Sequence, residues 1–328
     1  MKPNIFNYAT SELSQDAFFC WLLEWANSIY DGEKMNRISM KFINFIFDLA
    51  HFKPLTNVKK IHIKQQIRIS NNRRIDFYAI INNEYVILFE DKVFSGEHDN
   101  QLTAYKEYSE KHFTDKKIIS VYIKSDIVFS DERIFINDNG YLLIDIYTLI
   151  DLLEEIDINE VYNEYVIYLH ERKDNYVSFL TNTVETWTNE NWFGFIHYLN
   201  NYLDGSQFGK HYKGDDTWWL ILSMKEDNKE CYGVELQINS RDCIIKTSFE
   251  EADTRNDKLQ YKELLIKDLK VYLKDYNIRP TGSYGGKNMI VAYIDGYMAM
   301  ENGLINLDKT LENLRDITNK FNQYYDNL

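Results

Sequence analysis

IHIKQQIRISNNRRIDFYAIINNEYVILFEDK, residues 61–92, carries the reading of the fold. Residues 61–70 alternate, with Ile61, Ile63, Ile67 and Ile69 on one face, and predict a strand. Asn71-Asn72 predicts a turn, RIDFYAII (74–81) a second strand, Asn82-Asn83 a second turn, and YVILFEDK (85–92) a third strand. The third strand is apolar on both faces until Glu90, as in a strand covered on both sides. Side chains two apart in a strand share a face, so Glu90 and Lys92 point together and Asp91 points away. Asp76 lies on the preceding strand, across a short turn from Glu90.

Two carboxylates and an ammonium at the end of a buried strand are costly to desolvate. A divalent cation relieves that cost. Mg²⁺, with Mn²⁺ as its alternative, takes oxygen ligands and completes its shell with water and phosphate around one or two carboxylates. Lys92 would then orient or deprotonate an attacking water, or stabilise charge on the phosphate. The competing reading of the same residues is a salt bridge at a strand end, because acid-x-Lys is a common pattern. Because Lys92 stands at a strand end, Lys92→Ala is expected to leave the fold nearly intact.

Outward from this meander, residues 11–29 and 37–51 predict two helices before it. A helix at about 98–113 follows it, then strands at 117–125 and 141–147 and a helix near 148–155. Gln101 and Tyr105 are one turn apart on the first of these, and Glu12 lies near the start of the opening helix. The order predicts an α/β (α+β) class with a mixed sheet flanked by helices. Beyond it, helices at 159–171, 185–204, 258–276 and 308–326 and strands at 217–224, 231–238, 242–249 and 288–294 predict an α+β module. We divide the chain into residues 1–175 and 176–328 on this basis.

The length of 328 residues suits two domains, and 45% hydrophobic with 27% charged residues is ordinary for a globular protein. Cys20, Cys231 and Cys243 are scattered and odd in number, against both a zinc knuckle and a disulfide framework. Apolar runs are too short to span a bilayer, and no signal-peptide pattern opens the chain, so a cytoplasmic protein without membrane contact is expected. The net charge of −14 is uneven: residues 1–150 hold 18 basic and 20 acidic side chains, residues 151–328 hold 19 and 31. The second half would repel a phosphate backbone, and we expect it to mediate assembly, as a homodimer or with a protein partner, or to cover the site. Residues 49–75 contain Lys64, Arg68, Arg73 and Arg74 among their basic residues and no acid. They form either a solvated strand face or a phosphate-binding stripe.

The Asp76…Glu90-x-Lys92 set on the second and third strands of a helix–meander–helix unit resembles the PD-(D/E)XK nuclease superfamily. ELSQDAFFCWLLE (12–24) is similar to the helix that supplies an extra acid in several of its branches. EDKVFSGEHDNQLTAY (90–105) is similar to the strand-to-helix part of bacterial members, in which a Gln and a Tyr follow the ExK. The likeness covers roughly residues 5–150 and departs at Ile75, where the signature has Pro. It implies a restriction-endonuclease-like core and a nuclease acting on phosphodiester bonds, in DNA, with bacterial defence or mobile elements as its setting. It also implies that Glu12, Asp76 and Glu90 hold Mg²⁺, with the Asp91 carbonyl as a further ligand. Lys92 and Gln101 would then serve catalysis, and Lys64, Arg68, Arg73, Arg74 and Tyr105 would serve nucleic-acid binding. The Asp91 side chain is expected to partner an Arg or Lys, and Tyr105 has a core alternative. Against catalysis stand a non-catalytic protein- or nucleic-acid-binding module on the same fold and an enzyme acting on another phosphate ester.

Elsewhere the signals are plain. GSYGGKN (282–288) lacks the spacing and the Ser or Thr of a phosphate loop, and RPTGSYGG (279–286) predicts a hairpin turn. Of Trp218 and Trp219, one is expected in the core and the other at a surface. His98 is an incidental residue at a helix start.

Overall fold

The computed structural model describes residues 4–9, 11–70, 73–93, 101–155, 157–210, 218–227, 232–239, 241–249, 254–282 and 287–327. The Asn71-Asn72 turn, His98, Cys231 and positions 283–286 of the glycine-rich turn lie outside these residues. The chain divides into two compact units, Met1–Asp174 and Asn175–Leu328.

The first unit is a mixed sheet with helices on both faces. The elements are α1 (Glu12–Glu24), α2 (Lys34–Leu49), β1 (Ile61–Ser70), β2 (Arg73–Ile81), β3 (Tyr85–Lys92), α3 (Gln101–His112), β4 (Lys117–Lys124), α4 (Ser130–Asp138), β5 (Leu142–Asp145), α5 (Ile146–Leu152) and α6 (Glu160–Val177). The sheet order is β1-β2-β3-β4-β5. β1, β2 and β3 pair antiparallel, and β4 and β5 add parallel to β3. β2 closes onto β3 through a tight turn: Asn82 and Asn83 both take positive φ (53° and 56°), and Glu84 N–H donates to the Ile81 carbonyl. Asparagine tolerates this left-handed backbone better than most residues. Parallel neighbours need a crossover, which α3 and α4 provide.

β3 is the central strand, buried from Val86 to Lys92, which is why its apolar run has no period. Leu88 and Val86 pack with Leu102 and Tyr105 of α3 and with Tyr122 of β4. On the opposite face Phe77 stacks on Phe89, and α1 lies against β1, β2 and β3. α1 is in turn wrapped by α2 and α6: Phe19 stacks on Phe42, and Phe18 stacks on Tyr165 at 3.9 Å between ring centres. α4 was not predicted; its sequence SDERIFIND has Ile136 as its one buried residue, too little apolar surface to register as a face.

The second unit is an antiparallel sheet with two long helices. It contains α7 (Asn189–Tyr202), β6 (Gln207–Lys210), β7 (Trp218–Asp227), β8 (Tyr232–Asn239), β9 (Asp242–Ser248), α8 (Arg255–Tyr272), β10 (Asn277–Pro280), β11 (Asn288–Asp295), the short pair β12 (Met300–Glu301) and β13 (Leu304–Ile305), and α9 (Leu307–Asp326). Its order is β10-β11-β9-β8-β7-β6. Arg279 and Pro280 therefore belong to an edge strand rather than to the predicted turn, an edge being where a proline costs no ladder bond. Trp218 is buried, and half-buried Trp219 lies over Gly209, where any Cβ would strike its ring. Among the described residues no helix is long and apolar enough to cross a membrane.

Candidate active site

β3 ends in three consecutive charged residues, and strand alternation sends them to opposite faces. On the α3 face, Lys92 Nζ donates to Glu90 Oε1 at 2.5 Å, and both side chains are buried. Glu12, in the first turn of α1, brings its Oε2 to 3.9 Å from the same ammonium. Asp76 reaches in from β2, its Oδ2 accepting the backbone N–H of Asp91 at 2.9 Å. Glu12, Asp76, Glu90 and Lys92 thus come together from three elements. Lys92 is more deeply set than expected: it is 5% exposed and is the counter-charge of the cluster, so its removal is not neutral to the fold.

The electrostatics follow from that burial. Burial, and then the charge of Asp76, pushes Glu90 well above the ordinary carboxyl range. Asp76 is raised by burial against the pull of Lys92. Burial works against charge on Lys92, but Glu90, Asp76 and Glu12 outweigh it and hold the ammonium protonated.

The other face corrects one expectation. Asp91 meets neither Arg nor Lys: its Oδ1 accepts from Gln15 Nε2 at 2.5 Å, and its carboxyl stands against Asp16 of α1. Its side chain is therefore turned away from Glu90 and Lys92 and cannot serve a cation held between Asp76 and Glu90. Gln66 Nε2 donates to Asp16 Oδ2 at 3.2 Å. Asp16 Oδ1 and Asp91 Oδ2 are left without a donor, and one shared proton would satisfy both. Burial first, and then Asp76, pushes Asp16 up to about 7; burial and Asp16 push Asp91 well above its usual range. Gln15 and Asp16 are three and four positions after Glu12, on its side of the helix and just ahead of the apolar run of α1, and that spacing is the signal the sequence holds for them.

α3 brings Tyr105 inward. It is 1% exposed among Leu88, Leu102 and Tyr122, so it is a core residue and offers no surface for a base to stack on. Burial and then the charge of Glu90 raise its hydroxyl. Gln101 sits one turn earlier, its Oε1 buried and, among the described residues, without a hydrogen-bond partner. On β4, Lys124 pairs in register with Lys92 and is held by both carboxylate oxygens of Glu132, at 2.7 and 2.6 Å, with Tyr122 Oη also on Glu132. Lys124 and Glu132 carried no motif and were not anticipated. Of the basic residues, Lys64, Arg68 and Arg74 are exposed and Arg73 is half-buried. Arg68 and Arg74 are cross-strand partners two residues from Asp76.

Among the described residues, no group of three or more His, Cys, Asp or Glu side chains is spaced to hold a metal ion. Two carboxylates suffice for Mg²⁺ when water and phosphate complete its shell, and Asp76 and Glu90 are of the right kind. Glu90 Oε2 is buried with no hydrogen-bond donor, an atom that calls for a proton or a cation. The residues present fit such an ion as a two-carboxylate site.

Residues 3–207 match the family model of the PD-(D/E)XK nuclease superfamily, well over half of the chain. The chain belongs to that superfamily. The match runs past Asp174 and through α7, further than the resemblance read from the motifs. No curated protein and no solved structure matches the chain.

Proposed function

We propose that this superfamily member is a metal-dependent nuclease that hydrolyses phosphodiester bonds in DNA. The observation that supports the reading best is the meeting of Glu90, Lys92 and Asp76 at the end of β3, with Glu12 beside them. Asp76 and Glu90 would hold Mg²⁺ or Mn²⁺, with Glu12 and the Asp91 carbonyl as further oxygen donors. The ion, when bound, supplies Lewis-acid polarisation of the phosphoryl oxygen and a more acidic water. Lys92, kept protonated by three carboxylates, stabilises the charge that develops on the phosphate and orients the attacking water. Gln101, with a buried amide oxygen lacking a partner, is suited to accept a hydrogen from that water. Lys64, Arg68, Arg73 and Arg74 would bind backbone phosphates, and the acidic residues 176–328 would serve assembly or substrate choice. The reading puts the protein in the cytoplasm.

The test is cleavage of plasmid and single-stranded DNA with Mg²⁺ or Mn²⁺, with a chelator as control. Divalent-dependent products, absent in Asp76→Asn, are expected; intact substrate under every condition, RNA included, would overturn the reading. Among the described residues no three acids are spaced to hold a metal ion, which favours as second reading a non-catalytic module that binds nucleic acid or protein. Binding without cleavage would identify it.

A further inference from the structure

We infer that Gln15 and Tyr165 are positioning residues of this site: they clamp the Asp91 side chain and the Lys92 carbonyl at the end of β3 and so aim Asp76 and Lys92. The inference rests on the nuclease reading above and deepens it.

Gln15 Nε2 donates to Asp91 Oδ1 at 2.5 Å and reaches the Lys92 carbonyl at 3.4 Å. Its Oε1 accepts from Tyr165 Oη at 3.1 Å. The amide has one workable orientation. Turned over, its oxygen would face the Asp91 carboxyl and the Lys92 carbonyl, acceptor against acceptor. Tyr165 is itself immobile: its ring is stacked on Phe18 and its side chain is buried. The clamped segment does two things on the other face of the sheet. Asp91 N–H orients Asp76 through Oδ2, and the next residue carries the ammonium that sits on Glu90. Ser125 N–H also holds the Lys92 carbonyl, at 3.2 Å, so Gln15 completes the fixing of this carbonyl. The line Tyr165–Gln15–Asp91–Asp76 therefore runs through the sheet from α6 to the site. Groups that orient ligating or reacting side chains typically change affinity or activity by about 10–100-fold when lost.

Three variants test it: Gln15→Glu, the reversed pair Gln15→Glu with Asp91→Asn, and the near-isosteric Tyr165→Phe. Steady-state DNA hydrolysis is measured with Mg²⁺, and metal-free melting is recorded beside it. Gln15→Glu sets two carboxyls head to head and is expected to lower kcat about 10–100-fold with KM for DNA nearly unchanged. The reversed pair exchanges donor and acceptor and is expected to recover most of kcat. Tyr165→Phe frees the amide and is expected to lower kcat by several fold, and it keeps the test alive should Gln15→Glu not fold. Lower melting with wild-type kcat per folded molecule, in either single variant, would overturn the inference, as would a folded reversed pair no better than Gln15→Glu. If the wild type itself cleaves nothing, the nuclease reading has failed, and Mn²⁺ binding followed by electron spin resonance becomes the readout. Binding weakened in Gln15→Glu and restored in the reversed pair would then support the clamp, and binding unchanged in Gln15→Glu would refute it.

Discussion

Replacing Lys92 by Ala separates its duty as counter-charge from the duty the nuclease reading proposes for it, that of catalytic cation. The ammonium is 2.5 Å from Glu90 Oε1 and 3.9 Å from Glu12 Oε2, and it is buried. Without it, Glu90 must remain charged beside Asp76 or take up a proton. Protonating a carboxyl with an ordinary pKa of about 4.3 at pH 7 costs about 3.7 kcal/mol. That agrees with the roughly 3–5 kcal/mol for removing one partner of a buried pair. In a unit of this size, about 3.7 kcal/mol corresponds to about 7–15 °C of melting temperature. Added Mg²⁺ should return about 2.7 kcal/mol at a hundredfold excess over its Kd, and more than it gives the wild type, because the ammonium no longer competes. Hydrolysis should still fall by about 10²–10³, since the cation no longer answers charge on the phosphate. Glu90→Gln keeps Lys92 paired with Glu12 and in the field of Asp76, so it should melt nearer the wild type and lose its response to Mg²⁺. The assay is thermal melting at pH 7 with chelator and with Mg²⁺, alongside cleavage. If metal-free Lys92→Ala melts with the wild type, Lys92 is not the counter-charge of the cluster and the reasoning fails.

Two further outcomes are expected. Asp16, Asp76, Glu90 and Asp91 all have native pKa values above their unfolded ones, so the native state binds more protons. The Asp16 contribution is complete below about pH 4 and is lost as pH rises through about 7, and those of Asp76, Glu90 and Asp91 are likewise present at low pH and lost as pH rises. Metal-free protein should then resist urea better at pH 5 than at pH 8, with a smaller difference in Asp16→Asn, and the reverse order would contradict the assignment. Replacing both Arg68 and Arg74 by Ala should flatten the dependence of duplex DNA affinity on salt by about 1.8 in log–log slope if each contacts one phosphate. An unchanged slope returns these residues to a solvated strand face.

The meander was legible because its physics is local. Alternation predicted β1, the asparagine turns and apolar runs predicted β2 and β3, and the period of two sent Asp91 away from Glu90 and Lys92. What Asp91 would meet there was not legible. Gln15, Asp16 and Tyr165 reach it through packing of α1 and α6, which are far apart in the chain. Helical spacing put Gln101 and Tyr105 on one face of α3 but said nothing about depth, and depth decides that Tyr105 is core. Lys124 is set by the parallel register of β4 on β3, a pairing that follows from a crossover rather than a turn. The left-handed backbone of Gln66 (φ 51°), inside a strand whose alternation looks unbroken, has no signature in residue type at all.

The contact of Tyr165 with Gln15 also bears on the order of events as the chain is made. The two residues lie 150 positions apart. Asp76, Glu90 and Lys92 leave the ribosome together and can pair through a meander of low contact order. At about 5–20 residues per second, Tyr165 follows Lys92 by roughly 4–15 s. Over that interval the nascent chain holds the reactive residues without the strut that sets their angle. On the nuclease reading proposed above, cutting power would arrive with α6, about halfway through translation, and the shorter nascent chain would be the less dangerous to the nucleic acid around it.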